Sequence, residues 1–250
     1  SFSNEISVNE GVIENRFYKL TVDGRGAITS LVDKMRGNRE LAAEMDGRFI
    51  NDLGAGAGNM QLENEGPVSA TLLATSDSPL AHTSRITLFR DVDRVEIENL
   101  ITQNFNATST WGFGFAVENP DVHHEEVGAI LRARLTIDGG HYSPRNARYD
   151  WLTLNHFVDV SDNGLGITLS NADCYFMRVG NSTVGELDTT TPQISVLVGG
   201  NDLNGGGVLG DQGGDDRFFQ RFALRSHDGY DPVSAMKFSL EHQNPLVAGR

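Results

Sequence analysis

The fold class of this sequence is decided by the segment Arg85-Ile86-Thr87-Leu88-Phe89-Arg90-Asp91-Val92-Asp93-Arg94-Val95-Glu96-Ile97-Glu98. Ile86 and Leu88 alternate with polar side chains, and Val95 and Ile97 do so again after the turn-forming stretch at 91–93. Successive side chains of a β-strand point to opposite faces of a sheet, so each run can bury one face and expose the other. The segment therefore predicts a β-hairpin with one buried face.

The same two-residue period recurs along most of the chain. A strand at 17–22, a turn at 23–26 and a return strand at 27–33 form a second predicted hairpin. The 28 glycines are spread between short apolar runs, which is typical of many turns. The pattern predicts an all-β sandwich or barrel. Further predicted strands carry Leu131, Ala133, Leu135 and Ile137; Leu165, Ile167 and Leu169; Ile194, Val196 and Val198; and Phe218, Phe222 and Leu224.

Helical signals are scarce. Asp231-Pro232 is typical of an N-cap followed by proline at the first helical position. Ala235, Phe238 and Leu240 would then line one face of a short helix that ends near Pro245. Because no change of composition marks a linker, residues 1–250 are predicted to form one large β domain.

Charge excludes two classes of partner. The chain has 20 Lys and Arg against 34 Asp and Glu, a net charge of −14, so we expect neither nucleic acid nor an anionic membrane surface as partner. No apolar run approaches the roughly 18 residues of a membrane helix. The start of the chain lacks a signal-peptide pattern, and Cys174 is the only cysteine, so we expect a buried thiol and a cytoplasmic location.

No complete catalytic motif is present. His123-His124-Glu125-Glu126 is the one dense cluster of metal-ligand types, but neighbours on a strand diverge, so we interpret it as a solvated loop or strand end. Gly-x-Ser-x-Gly is absent, and Gly54–Gly58 lacks the lysine or threonine that follows a phosphate loop. The sequence predicts no resident metal and no Ser or Cys nucleophile.

A long polar glycine-rich segment at 199–216 separates two predicted strands. Its Asn, Asp and Gln side chains suit sugar hydroxyls, because they offer planar donors and acceptors. Asp215-Asp216 could supply the paired carboxyl groups of a glycosidase, although sequence neighbours do not establish the required separation. Aromatic residues could stack on a sugar or fill the core; they are Trp111, Trp151, Tyr142, Tyr149 and Tyr175.

Several segments, in order along the chain, resemble the large β domain of glycoside hydrolase family 38 α-mannosidases. They are VIENRFYKLTVD at 12–23, GAITSLVDK at 26–34, NHFVDVSD at 155–162, DQG at 211–213 with the strand 218–227 that ends in His227, and LEHQNPL at 240–246. The resemblance implies a galactose-mutarotase-like β-supersandwich. It further implies that this chain is the C-terminal β domain of a zinc-dependent retaining α-mannosidase, a fragment of a longer enzyme.

In that family an N-terminal domain holds the zinc and the aspartate nucleophile, and a His-x-Asp motif contributes to the metal site. This sequence contains no His-x-Asp. The resemblance therefore implies zinc in the full-length enzyme, no cofactor in this fragment, and no activity of the fragment alone. The implied partners are the N-terminal catalytic domain of the same polypeptide and a mannose-containing glycan.

The resemblance also implies which residues border the substrate cleft. By their place in the matched segments, Asp211, Gln212 and Gly213 are the first candidates, and Arg145 and Arg148, which flank the loop at 139–150, are further ones. We expect these residues to position substrate and to dock the domains, not to transfer protons. No catalytic and no metal-binding residue is predicted in this chain.

Two other functions stay open. A stand-alone carbohydrate-binding module would bind mannosides by itself. An aldose-epimerase-like enzyme would need a histidine acid and a glutamate base facing one sugar, such as His123 with Glu125, or His141 with either Glu of the 125–126 pair, but no motif supports such a pair.

Overall fold

The structure, a computed structural model, describes residues 6–200 and 212–245. Within these residues the chain forms β-strands, one short 3-10 helix at Thr136–Asp138 and one α-helix, α1, at Pro232–Gln243. The strands, in chain order, are β1 (Ser7–Asn9), β2 (Val12–Glu14), β3 (Tyr18–Val22), β4 (Ile28–Asp33), β5 (Arg39–Glu40), β6 (Gly58–Glu65), β7 (Ser69–Ser76), β8 (His82–Phe89), β9 (Val95–Ile101), β10 (Ser109–Gly114), β11 (Asp121–Glu126), β12 (Ala129–Arg132), β13 (Leu152–Thr153), β14 (Phe157–Ser161), β15 (Gly166–Asn171), β16 (Phe176–Val179), β17 (Gln193–Gly199) and β18 (Phe218–His227).

The strands pair into three antiparallel sheets. The largest has nine strands in the order β12-β11-β14-β15-β18-β9-β8-β7-β6. A four-stranded sheet has the order β10-β17-β16-β13, and a five-stranded sheet runs from β1 to β5 in sequence order. Isolated bridges at Ile28–Ile50 and Asp52–Gly112 tie the segment between β5 and β6 to both smaller sheets.

Both smaller sheets pack on the same face of the nine-stranded sheet, which we call the inner face. The Tyr18 hydroxyl of the five-stranded sheet donates to Asp93 at 2.7 Å and accepts from the Ser226 N–H at 3.1 Å. Phe113 of the four-stranded sheet meets Phe222 edge to face, with 5.1 Å between ring centroids. Buried aromatic pairs of this kind add to the burial of apolar area that stabilises a sandwich core.

Helix α1 lies on the opposite, outer face of the nine-stranded sheet. It begins at the predicted N-cap, where the Asp231 side chain accepts from the Val233 N–H at 3.0 Å. Ala235, Phe238 and Ser239 are buried against the sheet, and His242 Nδ1 lies 2.8 Å from the Ser170 hydroxyl. The prediction that Leu240 joins the buried face is wrong, because that side chain is 42% exposed.

The all-β prediction is confirmed, and so is the hairpin that defined it. Arg85 pairs with Glu98 and Leu88 with Val95 across β8 and β9, in the register that the alternation requires. The early hairpin is formed by β3 and β4, where Gly26 adopts φ +93° in the connecting turn. Glycine alone adopts this left-handed conformation readily.

One strand prediction is wrong. The alternation from Leu131 to Ile137 does not continue as a strand, because β12 ends at Arg132 and residues 136–138 form the 3-10 helix. Gly139 ends that helix at φ +78°, and the Ile137 side chain is 74% exposed. Local turn formation before Gly139-Gly140 overrides the two-residue period. No helix in the described part of the chain is long and apolar enough to span a membrane.

Candidate functional site

The outer face of the nine-stranded sheet is polar where β11, β14, β15 and β18 lie side by side. Asp121 pairs with Ser161 and His123 with Asp159 across β11 and β14, so these four side chains share one face. The interleaved residues Val122, Val158 and Val160 point to the inner face and are buried in the core. Strand alternation thus places Val158 and Val160 on the inner side of β14, and Asp159 and Ser161 on its outer side.

Asp159 and His227 form the centre of this polar region. His227 Nε2 lies 2.6 Å from Asp159 Oδ2, and the Thr168 hydroxyl donates to the same oxygen at 2.6 Å. Asp159 is fully buried, whereas the His227 side chain is 19% exposed. Because a carboxylate only accepts hydrogen bonds, the contact assigns the proton to Nε2 of His227.

The position of His227 depends on Gly166, its cross-strand partner. A Cβ atom at residue 166 would lie 2.0 Å from His227 Cε1. The imidazole therefore occupies the space that any other side chain at 166 would need. The missing side chain on β15 is what allows the ring to lie next to Gly166 and beside Asp159.

Tyr230 covers this region from the loop between β18 and α1. Its ring stacks on His123, with 4.1 Å between centroids and 12° between planes. Burial lowers the pKa of His123, which favours the neutral imidazole. Burial, and then the charge of Asp159, raise the pKa of the Tyr230 hydroxyl, which therefore stays protonated.

Four buried polar atoms of this cluster have no hydrogen-bond partner among the described residues. They are His123 Nδ1, Asp159 Oδ1, His227 Nδ1 and Tyr230 Oη. Roughly nine in ten buried polar groups in proteins are paired, and an unpaired one costs about 1–3 kcal/mol. A concentration of unused hydrogen-bonding capacity on neighbouring side chains is typical of a binding or catalytic site.

The cluster adjoins a pocket of about 510 Å³, which we call the polar pocket. Arg132 and Arg134 both contact Asp121, at 2.8 Å and 3.1 Å between Nε and Oδ1. The volume of the polar pocket lies within the range of roughly 300–1,000 Å³ that is usual for small-ligand sites. The lining residues are Asn119, Asp121, His123, Arg132, Arg134, Ser161, Asp162, Asn163, Gly229 and Tyr230.

The cleft residues implied by the family resemblance lie elsewhere. Asp211 lies outside the described residues. The Gln212 N–H donates to Asn104 Oδ1 at 3.2 Å, and its side-chain amide donates to the Phe105 carbonyl at 3.4 Å. Gly213 follows as an exposed residue with φ +68°. Gln212 thus lies beside a second cleft, of about 530 Å³, formed largely by residues 103–110.

The two arginine candidates lie beside the other edge of the four-stranded sheet. Arg148 forms an ion pair with Asp150 at 2.7 Å, just before β13, and Arg145 is exposed in the preceding turn. Gln212 instead adjoins the start of β10, at the opposite edge of that sheet. Neither group lines the polar pocket, and the role of all five residues stays a prediction.

The histidine-glutamate cluster is not the solvated loop or strand end that we expected from the divergence of neighbouring side chains. It lies in β11, where His124 is fully buried on the inner face and Glu125 is buried on the outer face. Glu125 Oε1 accepts from the Gly128 N–H at 2.8 Å, and Oε2 contacts His156 Nδ1 at 2.8 Å. Burial acts to raise the pKa of Glu125, but these hydrogen bonds outweigh it and lower the pKa.

Sequence reasoning did not identify Asp159, Thr168, His227 or Tyr230 as one site. A signal was nevertheless available, because Asp159 interrupts an apolar strand and His227 ends another. Both residues lie in segments that resemble family 38 α-mannosidases, at 155–162 and 218–227. The structure brings these two segments into contact through β15.

The fold matches solved structures of carbohydrate-active proteins. An α-mannosidase from Enterococcus faecalis V583 aligns with a TM-score of 0.69 at 11% identity, over 95% of this chain and 31% of its own. A glycosyl hydrolase family 38 protein from Enterococcus faecalis aligns with a TM-score of 0.67 at 12% identity, over 95% and 32%. This chain therefore spans about a third of the length of those proteins.

A galactose mutarotase-like protein from Lactobacillus casei ATCC 334 aligns with a TM-score of 0.53 at 14% identity, over 86% of this chain and 99% of its own. No protein-family profile matches the sequence, and no curated protein matches it. At these identities the alignments establish the fold alone. The chain has a galactose-mutarotase-like β-sandwich fold, which also occurs in a part of family 38 α-mannosidases.

Proposed function

We propose that this chain is the C-terminal β domain of a zinc-dependent retaining α-mannosidase of glycoside hydrolase family 38. In this proposal the domain packs on an N-terminal catalytic domain of the same polypeptide and borders the mannoside cleft. The chain alone does not hydrolyse mannosides. The observation that carries the proposal is the alignment of 95% of this chain with one part of an α-mannosidase structure.

Two further observations support it. The segments that resemble the family occur in order from residue 12 to residue 246, so the likeness covers nearly the whole chain. Gln212, in one of those segments, is held against residues 104 and 105 beside the cleft of about 530 Å³. A polar side chain held beside an open cleft is suited to contact either a substrate or a neighbouring domain.

The residues that the structure describes do not fit the zinc of such an enzyme. Among residues 6–200 and 212–245, no three His, Cys, Asp or Glu side chains lie together as a metal site would require. A catalytic zinc site uses three such protein ligands and an open position. The proposal therefore assigns the metal and the nucleophile to the catalytic domain, and no step of the reaction is derived from this chain.

Hydrolysis of a chromogenic α-mannoside tests the proposal. The purified 250-residue chain and the complete polypeptide that contains it are assayed side by side, each with and without added zinc. We expect zinc-dependent turnover by the complete polypeptide and none by the chain, whose β-rich circular dichroism shows that it is folded. Turnover by the chain alone, or none by the complete polypeptide with zinc, would contradict the proposal.

A carbohydrate-binding function of the chain itself is the second candidate. The observation that favours it is the polar pocket of about 510 Å³, whose lining is mostly polar and charged side chains. An epimerase-like function through His123 and Glu125 has no such support. Both oxygens of Glu125 accept hydrogen bonds and its pKa is lowered, so it is poorly suited to act as a general base.

A further inference from the structure

Arg48 differs from the ion-paired arginines of this chain in the groups that its guanidinium contacts. Arg25 and Arg221 each hold one carboxylate through Nε and Nη2, the two-point geometry that arginine favours. Arg48 instead donates through Nη1 to the carbonyl and hydroxyl oxygens of Thr110, at 2.9 and 3.0 Å, and through Nη2 to the Ser195 hydroxyl at 2.8 Å. In the described part of the chain, its Nε–Nη2 edge therefore holds no carboxylate.

The charges around Arg48 leave the same deficit. Burial lowers the pKa of Arg48; the charge of Asp52 opposes this, and the charge of Arg178 adds to it. By contrast, the hydrogen bond to Asp52 raises the pKa of Arg25. Asp52 is thus already engaged, at 2.7 Å from Arg25. Arg48 is a half-buried cation without a carboxylate partner of its own among the described residues, in a chain whose net charge is −14.

Gly112 allows the Arg48 guanidinium to lie flat on the four-stranded sheet. A Cβ atom at residue 112 would lie 2.7, 2.8 and 3.1 Å from Nε, Cζ and Nη2 of Arg48, so the guanidinium presents its face to the glycine. Ser195 pairs with Gly112 on one side and with Arg178 on the other. Positive side chains therefore flank Ser195, whose hydroxyl accepts from Arg48 and keeps its own proton for a further acceptor.

The unused donors of Arg48 adjoin open space. Arg48 lines the cleft of about 530 Å³ beside Gln212, and no other described lining residue has a charged side chain. The remaining polar lining groups are amides and hydroxyls, such as those of Asn106 and Ser109. Nε of Arg48 is not among the unpaired polar atoms that are sealed from solvent in the described residues. An anion at this end of the cleft would thus meet one cation and neutral donors, and no opposing carboxylate among the described lining residues.

From these observations we infer that Arg48 and Ser195 form a binding site for one oxyanion, a phosphate or carboxylate group carried by a small ligand in this cleft. The oxygens of the anion accept from Nε and Nη2 of Arg48, and the Ser195 hydroxyl donates to one of them. Arg178 strengthens the attraction through its charge. The inference goes beyond the proposed function and does not depend on it, since the anion binds to this chain alone.

Binding is measured on the 250-residue chain by NMR titration. Inorganic phosphate and acetate are the probes, because they separate a phosphate site from a carboxylate site. Sodium chloride at matched ionic strength is the control for general screening of charge. We expect at least one probe to shift the Nε signal of Arg48 and the backbone signals of Thr110 and Ser195 in a saturable manner. No saturable shift at Arg48 with either probe, or the same shifts with chloride, would overturn the inference.

Variants distinguish an anion contact from a structural role. We expect Arg48→Gln to weaken binding about tenfold or more, because it removes the charge and the two-point contact. Arg48→Lys keeps the charge alone and should lose less, and Ser195→Ala should lose only a few-fold. The matched control is Arg221→Gln, since the guanidinium of Arg221 already holds Asp173 at 2.8 Å.

Circular dichroism of each variant establishes that it is folded, because Arg48 also links Thr110 to Ser195. We expect Arg221→Gln to bind the anion like the unaltered chain. Undiminished binding by folded Arg48→Gln would contradict a direct contact. If Arg48→Gln does not fold, undiminished binding by both Arg48→Lys and Ser195→Ala would contradict it, and so would an equal loss in Arg221→Gln.

Discussion

Two histidine-carboxylate pairs lie on the outer face of the nine-stranded sheet, and they differ in how many of the carboxylate oxygens accept hydrogen bonds. Glu125 contacts His156 at 2.8 Å and also accepts from two backbone N–H groups, so both of its oxygens are used. Asp159 contacts His227 at 2.6 Å and Thr168 at 2.6 Å through one oxygen, while the buried Oδ1 has no partner within residues 6–200 and 212–245. The first pair completes a turn, and the second leaves one buried carboxylate oxygen without a partner in the described part of the chain.

The largest expected effect comes from replacing the histidine of each pair with alanine. His227→Ala leaves Asp159 buried with only the Thr168 hydroxyl, and losing one partner of a buried pair costs about 3–5 kcal/mol. His156→Ala leaves Glu125 its two backbone donors, and the His156 side chain is 32% exposed, so we expect a loss of about 1 kcal/mol. Urea unfolding of both variants measures the difference. Similar losses would mean that the two carboxylates are equally well satisfied.

The pH dependence of stability distinguishes these two pairs from histidines that contact only neutral groups. Burial lowers the pKa of His124 to about 4 and, together with nearby arginines, lowers that of His242 to about 4, against an ordinary value of 6.5. Between pH 4 and pH 6.5, His124 and His242 are protonated in the unfolded chain but neutral in the folded chain. The free energy of unfolding therefore falls as the pH drops from about 6.5 to 4. Each histidine contributes about 3 kcal/mol to that fall.

Unfolding free energies between pH 7 and pH 4 check this expectation. His124→Gln and His242→Gln should each flatten the profile in that range, and the double variant should flatten it most. A profile that keeps its slope in the double variant would assign the acid sensitivity to other groups, including the two pairs. Because His124 is buried against the Thr153 carbonyl, glutamine at that position preserves a possible donor.

The fit of His227 beside Asp159 is tested through the glycine opposite it. Gly166→Ala places a Cβ atom 2.0 Å from the His227 ring, so the ring must move and weaken its contact with Asp159. Overpacking of this kind costs about 1–3 kcal/mol. Gly164→Ala on the same hairpin is the control, because no atom lies within 4 Å of a Cβ there. Thermal unfolding of the two variants should separate them, and equal melting temperatures would contradict a tight fit.

The smallest expected effect is a gain in stability. Tyr230→Phe removes a buried hydroxyl that has no partner among residues 6–200 and 212–245, and it keeps the ring that stacks on His123. We expect the variant to be more stable by about 0.5–1 kcal/mol, since an unpaired buried hydroxyl is costly. Chemical denaturation measures the change. A loss of stability would show that the hydroxyl is already paired in the folded chain.

Local sequence patterns predicted most of the elements of the fold. The hairpin at 85–98, the turn at 23–26 and the N-cap at Asp231 follow from short-range alternation and turn chemistry, and the structure contains all three. The strand predicted at 131–137 does not continue beyond Arg132, because residues 136–138 form a 3-10 turn before Gly139. The prediction for Leu240 failed because that residue lies five positions after Ala235, about 140° around the helix, whereas Ser239, four positions after Ala235, shares the buried face.

The polar site could not be predicted in the same way. Asp159 and His227 are separated by 68 positions, and only the insertion of β15 between their strands brings them to 2.6 Å. His123 was noticed because it stands in a dense cluster, although its immediate neighbours point elsewhere. The residues that it meets, Asp159 and Tyr230, come from β14 and from the loop before α1.

The sequence by itself determined the all-β class, the main hairpins and the short C-terminal helix, because alternation, caps and turns act between residues close in the chain. The tertiary structure alone decided which polar side chains share a face and which of their atoms stay unpaired. Hydrogen-bond satisfaction depends on strand order and on the space left by partners such as Gly166, and neither can be read from local pattern.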